Sequence, residues 1–172
     1  MVALFTRRLH LRPLVISDLQ SVQAYAEDPE VCRHVAWGPW TPEQTRGFVD
    51  QVVAEWASAH QASYTFAVTT GEVMVGSCAI TVTSREHRRA ELGYVLARSH
   101  WARGYASEAA GAVLRFGLDN LGLGRVEATC RPANVASQNV LRKIGMAQEG
   151  RMRSHVVIRG QSEDSLLFAA IR

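Results

Sequence analysis

The sequence is poor in cysteine, and this scarcity excludes two classes of small protein. Only three of its 172 residues are cysteine, an odd number, and no Cys-x-x-Cys pair occurs. That pattern fits neither a disulfide framework nor a zinc finger. The six histidines also lack ligand spacing such as His-x-x-x-His, so the sequence predicts no metal site. A reducing compartment is the expected setting.

A long apolar segment is also missing. No apolar run approaches the ~20 residues that a bilayer-spanning helix needs, and the amino terminus lacks the apolar core of a signal peptide. We therefore expect a cytoplasmic protein with no membrane partner. The net charge of +3 mildly favours acidic ligands but is too small to predict binding to nucleic acid. With 172 residues, 47% of them hydrophobic, the chain is expected to form one domain over residues 1–172.

The most informative stretch runs from Arg89 to Arg142. Residues 90–96 alternate in side-chain type, as in a strand, whereas residues 106–121 repeat apolar positions at three and four, as in a helix. Gly104 lies between them, so the chain is predicted to turn there. A short strand, Arg125–Cys130, and a further helix are expected to follow.

The turn Arg103-Gly104-Tyr105-Ala106-Ser107 has the features of an anion site. The first turn of a helix leaves backbone N–H groups unpaired, and the helix dipole adds about half a positive charge there, so a phosphate is stabilised. Gly104 permits close approach to the main chain, Arg103 supplies a charge, and Ser107 supplies a hydroxyl donor. The alternative is that the glycine only turns the chain, as many strand-to-helix connections require.

Three motifs extend this pattern: Glu91-Leu92-Gly93-Tyr94, Arg103-Gly104-Tyr105-Ala106-Ser107-Glu108-Ala109, and Asn134-x-x-Ser137 leading to Lys143-Ile144-Gly145-Met146. Their order, over nearly the full length of the chain, resembles the GNAT superfamily of acyl-CoA-dependent N-acyltransferases. Within it the chain is most similar to the RimJ/RimL-like branch, which acetylates the amino terminus of ribosomal proteins. Two positions depart from the superfamily pattern. Trp101 stands where Gln or Arg is usual in the phosphate loop, and Leu141 stands where many members have a tyrosine general acid.

The resemblance implies an α/β (α+β) fold and a coenzyme. The expected sheet is mixed and mostly antiparallel, is flanked by about four helices, and is splayed where Arg89–Leu96 and Arg125–Cys130 part to admit acetyl-CoA. The expected partners are acetyl-CoA and an amine acceptor, and a homodimer is left open. The residues implied to hold the coenzyme are Val95, Leu96, Arg98, Arg103, Gly104, Tyr105, Ala106, Ser107, Asn134, Asn139 and Arg142.

Turn and cap signals predict the flanking elements. Residues 7–14 alternate as a strand, Ser17-Asp18 precedes a first helix, and Thr41-Pro42 opens a second. Hairpins are expected about Thr70-Gly71-Glu72 and Arg159-Gly160-Gln161.

The aromatic segment His34–Trp40 is the expected substrate-facing loop, because a glycine and a proline interrupt it. Trp37 and Trp40 could clamp the first side chains of an extended acceptor. The alternative is that both tryptophans only pack on the core, as buried tryptophan does more often.

Acyl transfer from a thioester to an amine needs a group that accepts the amine proton. Because side chains alternate along a strand, Glu91, Gly93 and Val95 share one face of the predicted strand. Gly93 leaves room for substrate against the backbone, and Glu91 beside it can accept a proton, through water. The alternative is that Glu91 is an ordinary solvent-facing glutamate.

Ser137 is the second candidate catalytic residue. On a helix that starts near Asn134 it shares a face with apolar Val140, Leu141 and Ile144, so it is predicted to point inward. Such a serine often serves only as a small residue bonded to the backbone. The resemblance instead implies a serine near the coenzyme sulfur, where it protonates the leaving thiolate.

The sequence therefore predicts an acetyl-CoA-dependent N-acetyltransferase. We expect a peptide or protein α-amine as acceptor, because an α-amine is about 10% neutral at pH 7 whereas a lysine amine is less than about 0.1% neutral. Two alternatives stay open: acetylation of a small amine such as an aminoglycoside, polyamine or arylamine, and a noncatalytic acyl-CoA-binding regulator.

Overall fold

A single sheet of eight strands runs through residues 2–172, the part of the chain that the computed structural model describes. The strands are β1 (Leu4–Phe5), β2 (His10–Pro13), β3 (Ser63–Thr70), β4 (Val73–Ser84), β5 (Arg89–Leu96), β6 (Arg125–Cys130), β7 (Ala147–Ile158) and β8 (Gln161–Ile171). Their order across the sheet is β1-β2-β3-β4-β5-β6-β8-β7. Every neighbouring pair is antiparallel except β5 with β6. The predicted mixed, mostly antiparallel sheet is confirmed.

Both predicted hairpins form, and backbone conformation explains where they turn. Gly71 between β3 and β4 has φ +57°, which costs a residue without a Cβ little. The β7–β8 connection consists of Arg159 and Gly160, with φ +49° and +80°. Positive φ at both residues of a two-residue loop matches the right-handed twist of paired strands.

Five α-helices flank the sheet among residues 2–172. They are α1 (Leu19–Ala26), α2 (Pro29–Cys32), α3 (Pro42–Ala57), α4 (Tyr105–Arg115) and α5 (Val135–Lys143). The single-turn helix α2 brings the number to five where about four were expected. It begins at Pro29, and the carboxylate of Asp28 accepts the backbone N–H of Glu30 at 2.9 Å. Helix α3 opens as predicted, with Thr41 as its cap.

Helix α1 begins at Leu19, directly after Asp18, as predicted, but its cap differs in detail, and α4 ends earlier than predicted. The Asp18 carboxylate does not cap α1, because it accepts two hydrogen bonds of 2.7 Å from the Arg12 guanidinium and one from the Val15 N–H. Helix α4 ends at Arg115 and widens into a π-helical turn, Phe116–Asn120. At that turn a Cβ on Gly117 would lie 2.3 Å from Ile80, so the glycine lets the helix approach the sheet closely.

The core has two parts, one on each face of the sheet. The first contains the inward side chains of α4 and α5 against alternate residues of β5 and β6, including Ala90, Leu92 and Val126. The second lies under α1 and α3, and Val95 packs against it. Strand β5 therefore alternates between the two cores, so its odd-numbered residues lie on the face opposite α4.

Strands β5 and β6 pair only at their beginnings. Their parallel register covers residues 89–91 against residues 125–127. Beyond Glu91, β5 continues beside β4 as far as Leu96, and β6 continues beside β8 as far as Cys130. The sheet is therefore splayed between these two strands, as predicted.

Candidate active site

The splayed strands open into a cleft of about 1170 Å³. The lining of the cleft comes from the first turn of α4, from β5, β6 and α5, and from residues within 30–40. This volume slightly exceeds that of typical small-molecule pockets, which are about 300–1,000 Å³. The cleft is therefore large enough for an extended ligand.

The predicted phosphate turn contributes to the lining of this cleft. Gly104 is the N-terminal cap of α4 with φ +77°, and Gly104, Tyr105, Ala106 and Ser107 all contribute to the lining. The unpaired N–H groups of this first turn are available to an anion. A Cβ at residue 104 would lie 3.3 Å from Nη2 of Arg8. Glycine is therefore favoured here mainly by its backbone conformation, and a Cβ would also press on the Arg8 guanidinium.

Glu91 and Gly93 lie where β5 leaves β6. Both are exposed and both line the cleft. A Cβ at residue 93 would have nothing within 4 Å, so this part of the strand is open to a ligand. The neighbouring Glu127 accepts a hydrogen bond of 2.7 Å from Nε of Arg125. Within residues 2–172 the Glu91 carboxylate has no such partner, which leaves it available to accept a proton.

Ser137 faces β5 across the cleft. Its Oγ lies 2.8 Å from the hydroxyl of Tyr94, which also donates to the Ser137 carbonyl oxygen at 3.2 Å. Asn134 caps α5, because its Oδ1 accepts the Ser137 N–H at 3.0 Å. Asn134, Ser137 and Asn139 all line the cleft. Hydrogen bonds with Tyr94 and Asn134 thus fix the first turn of α5 beside the cleft.

Tyr94 is the site residue to which sequence reasoning assigned no role. Burial raises the pKa of its hydroxyl well above the ordinary value, and the hydrogen bond to Ser137 offsets this only in part. The hydroxyl therefore stays protonated at neutral pH. Tyr94 belongs to the Glu91-Leu92-Gly93-Tyr94 motif, but its contact with Ser137, 43 residues away, cannot be read from strand alternation.

Three aromatic side chains pack together and line part of the cleft. The Trp37 and Trp40 ring centroids are 4.8 Å apart, and the Phe48 ring lies 5.1 Å from that of Trp40. All three rings pack on the core beneath α1 and α3, and all three line the cleft. Burial, followed by the charge of Arg33, lowers the pKa of the neighbouring His34, which favours its neutral form.

Three of the arginines implied to hold the coenzyme do not line the cleft. Arg98 forms an ion pair with Asp28, with Nε 3.0 Å from Oδ2. The Arg142 guanidinium lies 5.6 Å from the Phe168 ring centroid and donates to two glutamine side chains. The carbonyl oxygen of Arg103 accepts a hydrogen bond from Arg8. Coenzyme contacts of these three arginines stay predictions, whereas Val95 and Leu96 do line the cleft.

The two departures from the superfamily pattern have clear structural positions. Trp101 lines the cleft, and its Nε1–H donates to the Leu96 carbonyl oxygen at 2.8 Å, which ties the phosphate turn to the end of β5. Leu141 is 1% exposed and belongs to the core beneath α4. A leucine cannot supply a proton. Two hydrogen-bonded hydroxyl pairs line the cleft, Tyr94 with Ser137 and the buried pair Tyr25 with Ser77, and the first of them includes the residue of α5 predicted to act as the acid.

Two further features bear on the predictions. Within residues 2–172 no group of three or more His, Cys, Asp or Glu side chains is arranged to hold a metal ion. The helices described there are also too short or too polar to cross a membrane.

Comparison with known proteins identifies the family. Residues 8–147 match the family described as acetyltransferase (GNAT) domain, so the chain belongs to the GNAT acetyltransferases. The uncharacterized N-acetyltransferase p20 of Bacillus licheniformis is 30% identical over 173 residues, which cover 100% of this chain and 97% of p20. The protein is thus an acyltransferase of the N-acetyltransferase class, whose members use acetyl-CoA.

Solved structures share the whole fold. A GNAT-family acetyltransferase from Bacillus anthracis has a TM-score of 0.87 and 30% identity, over 99% of this chain and 98% of that chain. Mycobacterium smegmatis RimJ in complex with CoA-disulfide has a TM-score of 0.84 and 25% identity, over 95% and 81%. RimL, described as the ribosomal L7/L12 alpha-N-protein acetyltransferase in complex with coenzyme A, has a TM-score of 0.89 and 19% identity, over 99% and 98%. The neighbours thus include both RimJ and RimL.

Proposed function

We propose that the protein transfers the acetyl group of acetyl-CoA to the amino-terminal α-amine of a peptide or protein. The observation that carries this proposal is the parting of β5 and β6, because one opening joins the first turn of α4 to Glu91 and Ser137. The coenzyme phosphates would bind the backbone N–H groups of residues 104–107. The thioester would then lie between Glu91 and Ser137, and the amine would enter past Trp37 and Trp40.

Direct attack on the thioester is the mechanism that these groups favour. Glu91 accepts the amine proton through water, and the neutral amine attacks the carbonyl carbon. A backbone N–H of β5 near Gly93 stabilises the oxyanion that forms. As the carbon–sulfur bond breaks, the Ser137 hydroxyl protonates the departing thiolate, and Ser137 regains a proton, the one that the attacking nitrogen loses as the amide forms. Tyr94, 2.8 Å from Ser137 Oγ, supports that proton transfer.

An acetyl-enzyme on cysteine is disfavoured. Cys130 lines the cleft beside Ser137 but is only 5% exposed. Burial raises the pKa of its thiol, and the positive charges of Arg131 and Arg142 do not reverse this. A thiol that stays protonated is a weak nucleophile, since the thiolate is the reactive species.

An α-amine suits this site better than a lysine side chain does. A lysine amine needs over roughly a hundredfold more activation at pH 7, because its pKa is about 10.4 against about 8 for an α-amine. One exposed carboxylate, Glu91, is a modest base and fits the easier substrate. The aromatic wall of Trp37, Trp40 and Phe48 can hold the first side chains of an extended chain end. RimL, which shares the fold, is described as an alpha-N-protein acetyltransferase.

The test is thiol release from acetyl-CoA by purified protein with a panel of acceptors. We expect short peptides with free amino termini to react, and the same sequences with blocked termini to be inactive. If blocked peptides bearing lysine, or aminoglycosides, polyamines or arylamines, react at least as fast as every free terminus, the acceptor is not an α-amine. If no amine releases thiol although acetyl-CoA binds, the protein is a noncatalytic acyl-CoA-binding regulator.

A further inference from the structure

We propose that Arg8 is a positioning residue for the coenzyme diphosphate, because it holds the phosphate turn of residues 103–107 in its binding conformation. This inference rests on the proposed function, since it assumes that the turn binds the coenzyme phosphates. Arg8 lies in the loop between β1 and β2 and is 95 residues from Arg103 in the chain. No motif of the sequence links the two.

Glu108, in the first turn of α4, fixes the Arg8 side chain. Its Oε1 accepts hydrogen bonds from Thr6 Oγ1 at 2.6 Å and from the Arg8 backbone N–H at 2.8 Å. Its Oε2 accepts from Arg8 Nε at 2.7 Å and lies 2.6 Å from Arg8 Nη2. Burial would raise the pKa of Glu108, but the bonds from Thr6 and Arg8 outweigh it and lower the pKa. The carboxylate therefore stays ionised at neutral pH.

The same guanidinium contacts three successive residues of the turn. Nη1 of Arg8 donates to the Arg103 carbonyl oxygen at 2.9 Å. Nη2 occupies the space beside Gly104, 3.3 Å from where a Cβ would lie. The carbon at the centre of the guanidinium lies 4.8 Å from the centroid of the Tyr105 ring. Arg8 thus connects Glu108 to the backbone that leads into the unpaired N–H groups of α4.

These contacts indicate a positional role more than an electrostatic one. The Glu108 carboxylate neutralises Arg8, so the pair adds little net charge to attract a phosphate. Glycine has several accessible backbone conformations, and Gly104 adopts the left-handed one. The backbone N–H groups that follow it bind an anion well only when their directions are fixed in advance. The planar guanidinium holds separate nitrogen atoms in fixed directions, so Nε and Nη2 meet Glu108 while Nη1 meets the Arg103 carbonyl oxygen. A lysine ammonium carries all its donors on one flexible nitrogen, so we expect it not to reproduce this arrangement.

The experiment compares two acetyl donors in Arg8→Met, Arg8→Lys and wild-type protein. Acetyl-CoA carries the diphosphate, whereas S-acetyl-pantetheine has the same thioester without it. We expect kcat/KM for acetyl-CoA to fall about tenfold in both variants, mostly through KM, which corresponds to one or two lost hydrogen bonds. For S-acetyl-pantetheine it should change less than about twofold. Arg7→Met is the matched control, because Arg7 is exposed and forms no hydrogen bond within residues 2–172.

The outcomes separate this inference from the proposed function. Equal losses with both donors, or normal acetyl-CoA kinetics in Arg8→Lys, would overturn the positioning role and leave the proposed function standing. If the wild-type protein used S-acetyl-pantetheine as well as acetyl-CoA, the turn would not bind the diphosphate, and the proposed coenzyme site would fail first. Should the Arg8 variants not fold, Glu108→Gln, which removes the same ion pair, must show the same donor-selective loss.

Discussion

The hydroxyl pair of Tyr94 and Ser137 offers a quantitative test of how the thiolate leaves. The perturbations are Ser137→Ala, Tyr94→Phe and the double variant, each of which removes a hydroxyl without adding bulk. If Ser137 protonates the thiolate, its loss removes general acid catalysis, which is typically worth about 10²- to 10⁴-fold. Loss of the Tyr94 hydroxyl removes its 3.2 Å bond to the Ser137 carbonyl oxygen and its 2.8 Å bond with Ser137 Oγ. The second of these reaches the proton donor itself and is worth about 1 kcal/mol, or about fivefold in rate.

The two effects should not multiply, because Tyr94 acts through Ser137. We expect the double variant to match Ser137→Ala within about twofold, a coupling that a double-mutant cycle measures directly. Ser137→Ala should also lower kcat more than it raises KM for acetyl-CoA. Since burial raises the pKa of Tyr94 above its ordinary value of 10.0, the pair should stay protonated and active up to about pH 9.

The assay is thiol release at saturating peptide, with kcat and KM for acetyl-CoA measured for all four proteins. A change in KM alone would make Ser137 a binding residue. A hundredfold loss in Tyr94→Phe with little loss in Ser137→Ala would make Tyr94 the acid. If the losses in kcat from the two single variants multiplied in the double variant, Tyr94 would not act through Ser137.

Three further predictions concern the base, the turn and the fold. Glu91→Gln should lower kcat about 10²- to 10⁴-fold and leave acetyl-CoA affinity nearly intact, and near-normal turnover between about pH 6 and 9 would remove Glu91 from the mechanism. Gly104→Val, at φ +77°, should weaken acetyl-CoA binding in calorimetry while circular dichroism shows a retained fold; unchanged affinity would reject the turn as the phosphate site. Burial alone would raise the pKa of Asp18, but Arg12 and the Val15 N–H lower it below 3.8. The stability from this ion pair should be present above about pH 4 and lost as the pH falls through the lowered pKa. Asp18→Asn should cost about 2 kcal/mol, or about 4 to 8 °C in Tm, and an unchanged melting curve at pH 7 would contradict this.

Much of the fold could be predicted from local signals. Alternation in β5 indicated its two faces, and the structure confirms that Leu92 and Val95 pack on opposite cores. The glycines at both hairpin turns were recognisable from the sequence, and both have positive φ in the structure. The splay between β5 and β6 was known only from the family resemblance, because no local pattern shows where two strands cease to pair.

The partners of charged side chains were not predictable in this way. Asp18 follows a cap pattern, yet Arg12, six residues earlier in β2, binds its carboxylate in place of the cap hydrogen bond. Arg8 reaches the phosphate turn only because β1 lies beside α4. Arg98 is near the turn in sequence, but Asp28 competes for its guanidinium. In each instance a charged side chain binds a partner that no local sequence pattern indicates.

The most direct test of the central claim is a crystal structure of the protein with coenzyme A bound. We expect the diphosphate to lie against the backbone N–H groups of residues 104–107. We expect the pantetheine arm to lie between β5 and β6. The sulfur should lie within hydrogen-bonding reach of Ser137, in the opening that Glu91 also lines. A coenzyme bound outside the opening between β5 and β6, or a sulfur far from both Glu91 and Ser137, would contradict this claim.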